Sequence, residues 1–302
     1  MARLPLKRPQ PAARAVQDIP VSTRMRDPFA GFGVVALGAL VAALGAYVGA
    51  GHPLWRPARR AVLIDELAVF APHPAFVREI GATLDEAGYG MTYVPSQEVT
   101  VERLRSVPDD RANLIIVRAH AALIFDRGRW TDDAALFSSE PVDLATFDVS
   151  GLRALDPSAL DRPSIPAAGA APVGASQLGA AAAAALIPVR RDVGEDRRPY
   201  LGLGARFVRD HLRGRLRSDA VVVLMGCDTL RGRGLSEAFM SRGARAVIGW
   251  NREVSSAHTD RATASLVAHY VVHGDVAEAV LAATVAVGPD PKSGAHLVAA
   301  MR

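Results

Sequence analysis

Short apolar runs that alternate with helix-like segments constrain the fold of this chain more than any other feature. The runs that read as buried strands are AVLIDELAV (61–69), MTYVPS (91–96), NLIIVRAH (113–120), DAVVVLMGCDT (219–229) and ARAVIGW (244–250). Apolar stripes at helical spacing predict helices at 74–89, 234–243, 259–273 and 275–288. Strands that alternate with helices favour a parallel sheet with right-handed crossovers. The sequence therefore predicts an α/β domain with a mostly parallel central sheet.

The N-terminal region has a different composition from the rest of the chain. Residues 1–27 hold four prolines and six basic residues without apolar periodicity, which predicts a disordered basic tail. No charge occurs from Phe29 to Gly51, and about 20 apolar residues suffice to span a bilayer. We therefore predict one transmembrane helix over 28–51, as an uncleaved anchor, with a cleaved signal peptide as the alternative. The basic tail favours a single-pass protein in the cell membrane with its soluble domain outside the cytoplasm.

The remaining residues, 56–302, are predicted to form one soluble domain. Residues 121–150 suggest a β-hairpin that leaves the main sheet. A flexible insertion is predicted at about 151–198, because its first part is rich in Pro, Ala, Gly and Ser. The stretch RGRG (231–234) is also predicted to be a flexible loop.

Composition excludes several classes of function. The 35 Lys and Arg residues nearly balance the 31 Asp and Glu residues, and no stretch interleaves basic with aromatic residues, so no nucleic-acid partner is predicted. The single cysteine rules out an intramolecular disulfide and a cysteine-rich zinc site. His269 and His273 have metal-ligand spacing but no obvious third ligand, so no metal is predicted. No phosphate-binding glycine pattern follows the first strand, and no cofactor is expected.

His120 and Cys227 each stand where an apolar run ends. The carboxyl ends of parallel strands line the ligand-binding crevice of an open sheet, so we expect both side chains to face one cleft. A histidine can take the proton of a thiol and later protonate a leaving amine. Gly226 is expected to shape the turn, and with the backbone N–H groups after Cys227 it would form an oxyanion site. These are the groups that a cysteine peptidase needs.

The order of these elements resembles the caspase-like cysteine peptidases. That clan includes caspases, metacaspases, gingipains, clostripain-like enzymes and CHAT domains. This chain is similar to its pattern, in which a strand ending in His is followed by a long insertion, a strand ending in Gly-Cys, a helix and a strand closing in Gly-Trp. The stretch VVVLMGCDTLRGRGLSEAFMSRGARAVIGW (221–250) is similar to the cysteine half of CHAT-type and gingipain-like prokaryotic members. The resemblance covers about residues 61–288. It implies a three-layer caspase-like fold and an endopeptidase acting on proteins or peptides, with Cys227 as nucleophile and His120 as general acid/base.

The resemblance also suggests residues for the substrate pocket. It places Asp228 beside the pocket for the residue before the cut, and Asp65, at the end of the first strand, is the other candidate for the pocket floor. Either carboxylate would favour Lys or Arg in that pocket. Arg118 alternates to the same sheet face as His120 and would instead favour acidic substrates. Trp250 is either a pocket wall or a core residue.

Other features keep alternatives open. His258 and Asp260 either line the cleft or, as we favour for such a position, belong to the cap of the next helix. Clan members usually have glycine after the catalytic histidine, whereas this chain has Ala121, which lacks some of the conformations of glycine. Because the clan contains inactive members, the alternative function is a non-catalytic caspase-like binding or signalling module at the membrane. A third hypothesis, a doubly wound domain that binds a small ligand, is disfavoured by the missing phosphate-binding glycines.

Overall fold

The computed structural model describes residues 59–126, 129–141, 186–190 and 199–302. The predicted basic tail (1–27) and transmembrane helix (28–51) lie outside these ranges, as does most of the insertion predicted at 151–198. Within the described ranges, no helix combines the length and the apolarity that a membrane crossing requires. The chain from Pro57 onward forms one structural unit.

Ten strands and six α-helices make up the described part of the domain. In chain order, the strands are β1 (Arg59–Asp65), β2 (Tyr89–Pro95), β3 (Leu114–Arg118), β4 (Ala121–Asp126), β5 (Arg129–Pro141), β6 (Leu186–Arg190), β7 (Pro199–Leu203), β8 (Val221–Leu224), β9 (Ala246–Trp250) and β10 (Leu297–Met301). The helices are α1 (Pro74–Glu86), α2 (Val101–Arg105), α3 (Ala205–His211), α4 (Gly234–Ser241), α5 (Ser256–His273) and α6 (Val276–Val287).

Six strands form the central sheet in the order β10-β9-β8-β3-β1-β2. The neighbours from β2 to β9 run parallel, and β10 at the edge runs antiparallel. The prediction of an α/β domain with a mostly parallel sheet is therefore confirmed. Strand β2 lies on one side of β1, and the later strands β3, β8 and β9 lie on the other side. Such a reversal opens a crevice at the carboxyl ends of the strands.

Helices cover both faces of this sheet and give the domain three layers. Helices α1, α5 and α6 build the core on one face, and α2, α3 and α4 contribute to the core on the other. Within β3, Leu114 and Ile116 belong to the first core, whereas Ile115 and Val117 belong to the second. Since both faces are covered, every residue of such a strand is buried, which explains the near-continuous apolar runs in the sequence.

A second, antiparallel sheet has the order β4-β5-β7-β6. Its β4 and β5 form the hairpin predicted for residues 121–150, so that prediction is confirmed. Residues 186–190 lie within the predicted flexible insertion but form β6, which pairs with β7 over its whole length. The two sheets meet at His120, because β4 begins at the next residue and Phe137 N–H of β5 donates to His120 O at 2.9 Å.

Candidate active site

His120 and Cys227 follow β3 and β8, two neighbouring parallel strands in the middle of the central sheet, and lie at its carboxyl end. Strands β3 and β8 are paired in register as far as Val117 opposite Leu224. The ladder continues beyond the strands, since Met225 N–H donates to Val117 O at 2.8 Å. His120 and Cys227 each lie three residues after a member of the Val117–Leu224 pair. The structure thus brings the two residues to equivalent positions at the carboxyl end of the sheet.

Gly226 brings the two chain segments into direct contact. A Cβ added to Gly226 would lie 2.7 Å from the carbonyl oxygen of Ala119 and 2.7 Å from the Cβ of Ala121. These two residues flank His120, so the backbone beside Cys227 packs on the backbone that carries His120. Close approach of two backbones is one of the conditions that only glycine satisfies.

His120 is held on three sides. Its N–H donates to Glu66 Oε2 at 2.8 Å, and its ring contacts the rings of Phe70 and Phe137 at centroid distances of 6.2 Å and 5.9 Å. The imidazole Nε2 is buried and has no hydrogen-bond partner within the described part of the chain. Burial, together with the positive charge of Arg118, lowers the pKa of His120 from 6.5 to about 4. The imidazole is therefore neutral at neutral pH.

The Cys227 thiol is half-buried and is hydrogen-bonded to the backbone of Val254, in the loop after β9. Val254 N–H donates to Sγ at 3.4 Å, and the thiol donates to Val254 O at 3.5 Å. Among the described residues, no hydrogen bond joins this thiol to His120. Burial raises the pKa of the thiol above its ordinary value, with a partial offset from the Val254 N–H. The resting pair is thus a neutral thiol and a neutral imidazole.

The buried neutral state of His120 predicts that domain stability falls in acid. Histidine in the unfolded chain titrates near 6.5 and His120 in the folded chain at about 4, so protons bind preferentially to the unfolded state between these values. The contribution is fully present above 6.5 and is lost progressively as the pH falls to about 4. Its upper limit is about 3 kcal/mol.

His120→Gln removes this titration and provides the measurement. We expect the free energy of unfolding in urea to favour wild type over the variant by more above pH 6.5 than near pH 4. A difference between the two proteins that stays constant over that range would show that His120 does not titrate abnormally.

Asp228 lies directly after Cys227 and is 5% exposed. Its φ of 55° is in the left-handed region, which aspartate tolerates better than most residues. Its N–H donates to Arg252 O at 3.0 Å, so this amide is not available for the oxyanion site suggested by the sequence. Among the residues that the structure describes, its carboxylate is contacted by Arg231 Nη1 at 3.5 Å. Burial raises the pKa of Asp228, against the opposing charge of Arg231.

The RGRG loop (231–234) is closely packed, which corrects the prediction of a flexible loop. Gly234 N–H donates to Asp133 Oδ1 at 3.0 Å, and a Cβ added to Gly232 would collide with the backbone of Asp132. Both partners lie in β5 of the second sheet, about 100 residues earlier in the chain. The segment after Cys227 is thereby fixed between the two sheets.

Asp65 and Arg118 are paired with each other in a buried ion cluster. Arg118 Nη1 donates to Asp65 Oδ1 at 2.7 Å, and Arg118 Nε donates to Asp260 Oδ1 at 2.7 Å. The third donor, Nη2, bonds Asp260 Oδ2 at 2.9 Å and Ala71 O at 2.8 Å. Both Asp65 and Arg118 are 1% exposed. Their charges neutralise each other within the domain, which favours a structural role over the predicted roles in the substrate pocket.

Trp250 is a core residue in this structure, one of the two alternatives predicted for it. It is buried, and its Nε1 donates to Thr259 Oγ1 at 2.8 Å. His258 lies edge-on to the indole at 5.5 Å. Helix α5 begins at Ser256 without a side-chain cap. His258 and Asp260 are therefore buried structural residues rather than the predicted caps.

Glu66 and Val254 contact the two candidate catalytic residues and were not singled out by the sequence. Glu66 carries a detectable signal, since it is a second acidic residue inside the apolar run AVLIDELAV. A buried carboxylate needs a compensating donor, and here the donor is the His120 N–H. Val254 acts through its backbone, which leaves no signal in the side chain.

Comparisons with known proteins identify no family for this chain. No protein-family model matches the chain, and no curated protein sequence matches it.

Proposed function

We propose that this chain is a membrane-anchored cysteine endopeptidase of the caspase-like type, in which His120 and Cys227 form the catalytic dyad. The observation that supports the proposal is the contact at Gly226, which packs on both neighbours of His120, so that Cys227 and His120 follow adjacent strands at the carboxyl end of the sheet. The mostly parallel sheet with a reversal between β1 and β3 supports it, because ligands bind at the carboxyl ends of strands beside such a reversal.

In this proposal the chemistry begins with a proton transfer. Cys227 Sγ leaves the Val254 carbonyl, gives its proton to His120 Nε2 and attacks the substrate carbonyl carbon, forming a C–S bond. Backbone N–H groups of the Gly226–Cys227 turn stabilise the resulting oxyanion. The imidazolium then protonates the amine as the C–N bond breaks. Water hydrolyses the thioester with His120 as base and restores the thiol.

Asp228 is the proposed determinant of substrate preference. Its carboxylate lies beside the nucleophile, and its internal partner, Arg231, is 3.5 Å away and half-exposed on its side chain. A basic side chain of the substrate would give Asp228 a closer, charge-assisted partner. We therefore propose a preference for Arg or Lys before the cut.

The proposed anchor is the uncharged segment 28–51, with the domain outside the cytoplasm. The chain enters the domain at Arg59, at the amino end of β1, whereas His120 and Cys227 follow the carboxyl ends of β3 and β8.

Two observations favour the alternative, a non-catalytic caspase-like binding or signalling module. The Cys227 thiol bonds to Val254 on both its donor and acceptor sides, and not to His120, among the described residues. Ala121, where the clan usually has glycine, fills the space beside Gly226. If the thiol cannot leave Val254, the fold remains intact without turnover.

The test uses the purified full chain with a mixed library of fluorogenic peptides carrying Arg, Lys, Asp or Leu before the cut. We expect turnover by wild type, none by Cys227→Ala, and a loss of the basic preference in Asp228→Asn. Turnover that persists in Cys227→Ala would exclude the dyad. Absence of turnover by a folded wild type would favour the non-catalytic module.

A further inference from the structure

The turn that follows β1 contacts His120 at two points. Glu66, the first residue of the turn, accepts a hydrogen bond from the His120 N–H at 2.8 Å. Phe70, at its end, places its ring 6.2 Å from the imidazole. Between these points the turn is closed on itself, since Leu67 O accepts from Phe70 N at 3.0 Å and from Ala71 N at 2.8 Å. The turn is therefore a rigid unit against one side of His120.

The same turn is tied to the strand that carries His120. Ala71 O accepts a hydrogen bond from Arg118 Nη2 at 2.8 Å. Arg118 is in turn fixed by Asp260, with two bonds of 2.7 Å and 2.9 Å. The end of β3 and the turn after β1 are thus joined at both ends of the turn, once through Glu66 and once through Arg118.

The backbone of His120 is fixed on both sides by this arrangement. Its N–H is bound by Glu66, and its carbonyl accepts from Phe137 N–H at 2.9 Å. With both peptide groups held, the ring is confined between Phe70 and Phe137. Its Nε2 is buried and forms no hydrogen bond with the described residues.

The hydrogen bond to the His120 N–H is made by a fully buried carboxylate. The Glu66 side chain is 0% exposed, and burying a carboxylate is costly unless the structure uses it. We propose that Glu66 is a positioning residue for His120, fixing through its carboxylate the backbone from which the imidazole reaches the thiol. This inference rests on the proposed function, because it assigns Glu66 to the same dyad. Precise placement matters since small displacements of a catalytic group lower the rate steeply.

The test compares Glu66→Ala with Glu66→Gln in the full chain. Glutamine retains an acceptor oxygen for the His120 N–H, and alanine does not. Glu79→Ala, at an exposed position of α1, is the matched control. Two quantities are measured, namely kcat and KM on the best peptide, and the titration of His120 in the nitrogen-15 spectrum of histidine-labelled protein. Thermal unfolding confirms that each variant is folded.

We expect Glu66→Ala to lower kcat by up to about 100-fold with KM unchanged. We also expect the midpoint of His120 in that variant to rise from about 4 towards its ordinary value, as the ring loses its enclosed position. Glu66→Gln and Glu79→Ala should resemble wild type in both measurements. Wild-type kcat and titration in folded Glu66→Ala would overturn the inference, as would Glu66→Gln being as impaired as Glu66→Ala.

The spectroscopic measurement separates this inference from the proposed function. If wild type turns over no peptide, the proposed function fails, but the titration of His120 still reports whether Glu66 sets the environment of the imidazole. If Glu66→Ala were too unstable to study, the Glu66→Gln titration decides, because a displaced His120 in that variant would contradict the role of the acceptor oxygen.

Discussion

Gly226→Ala is expected to abolish peptide turnover and to destabilise the domain. The new Cβ would lie 2.7 Å from Ala119 O and 2.7 Å from Ala121 Cβ, distances at which the two chain segments must separate. Neither contacted atom belongs to a flexible side chain, so the ends of β3 and β8 would have to move apart. We expect a loss of about 1–3 kcal/mol in the free energy of unfolding and at least about a 100-fold fall in turnover, as Cys227 moves away from His120.

Gly90→Ala is the matched control for this variant. Gly90 lies in β2, and a Cβ there would meet nothing closer than Arg59 O at 4.0 Å. The double variant Ala121→Gly with Gly226→Ala removes one of the two collisions and should recover part of the stability. Urea denaturation and peptide turnover measure both effects. Gly226→Ala with the stability and activity of Gly90→Ala would show that the close approach of the two strands is not required.

Arg118→Met is expected to cause the largest loss of stability in the domain. It leaves Asp65 and Asp260 buried without their shared cation, and breaking a buried ion pair by removing one partner costs about 3–5 kcal/mol. The loss should be greatest at neutral pH and smaller in acid, because a protonated carboxyl group carries no uncompensated charge. Urea denaturation at both pH values measures this dependence.

Two comparisons test the cause. The triple variant with Asp65→Asn, Arg118→Met and Asp260→Asn removes all three charges and should be more stable than Arg118→Met alone. Arg209→Met breaks an exposed ion pair with Asp210 and should change the stability by less than about 1 kcal/mol. An Arg118→Met protein no less stable than Arg209→Met would contradict the assignment of a buried charge cluster.

Much of the central sheet could be predicted from the sequence because its strands are buried on both faces. The runs that became β1, β3, β8 and β9 are almost continuously apolar, a pattern that few other structures produce. The start of the short helix α2 also has a recognisable sequence, because threonine is a typical N-cap residue and Thr100 Oγ1 accepts from Arg103 N at 3.0 Å.

The strands that the sequence did not indicate have compositions typical of other structures. Strand β7 reads PYLGL, and its proline and glycine indicate a turn or loop. Strand β10 reads LVAAM, which has the composition of a helix, and it is a strand because it pairs antiparallel with β9. Tertiary pairing overrides local propensity in both strands.

For the candidate site, the sequence predicted only which residues stand at the carboxyl ends of the strands. His120 and Cys227 each end an apolar run, and parallel strands bring their carboxyl ends to one edge. The partners of the predicted pocket residues could not be inferred in this way. Arg118 and Asp260 are 142 residues apart, and only the packing of α5 against the sheet brings them together. The same holds for Glu66 and His120, which are separated by 54 residues.

The proposed dyad is tested most directly by the rate at which iodoacetamide alkylates Cys227. This is the only cysteine in the 302 residues, so the mass increase of the full chain reports on its thiol alone. Because the resting thiol and imidazole are both neutral, the proton leaves the thiol only as Sγ attacks the reagent. If His120 takes that proton, wild type should be alkylated at neutral pH at least about 10-fold faster than His120→Ala, and the two rates should converge at high pH, where the thiol ionises without help. Equal rates in the two proteins at neutral pH would contradict the dyad.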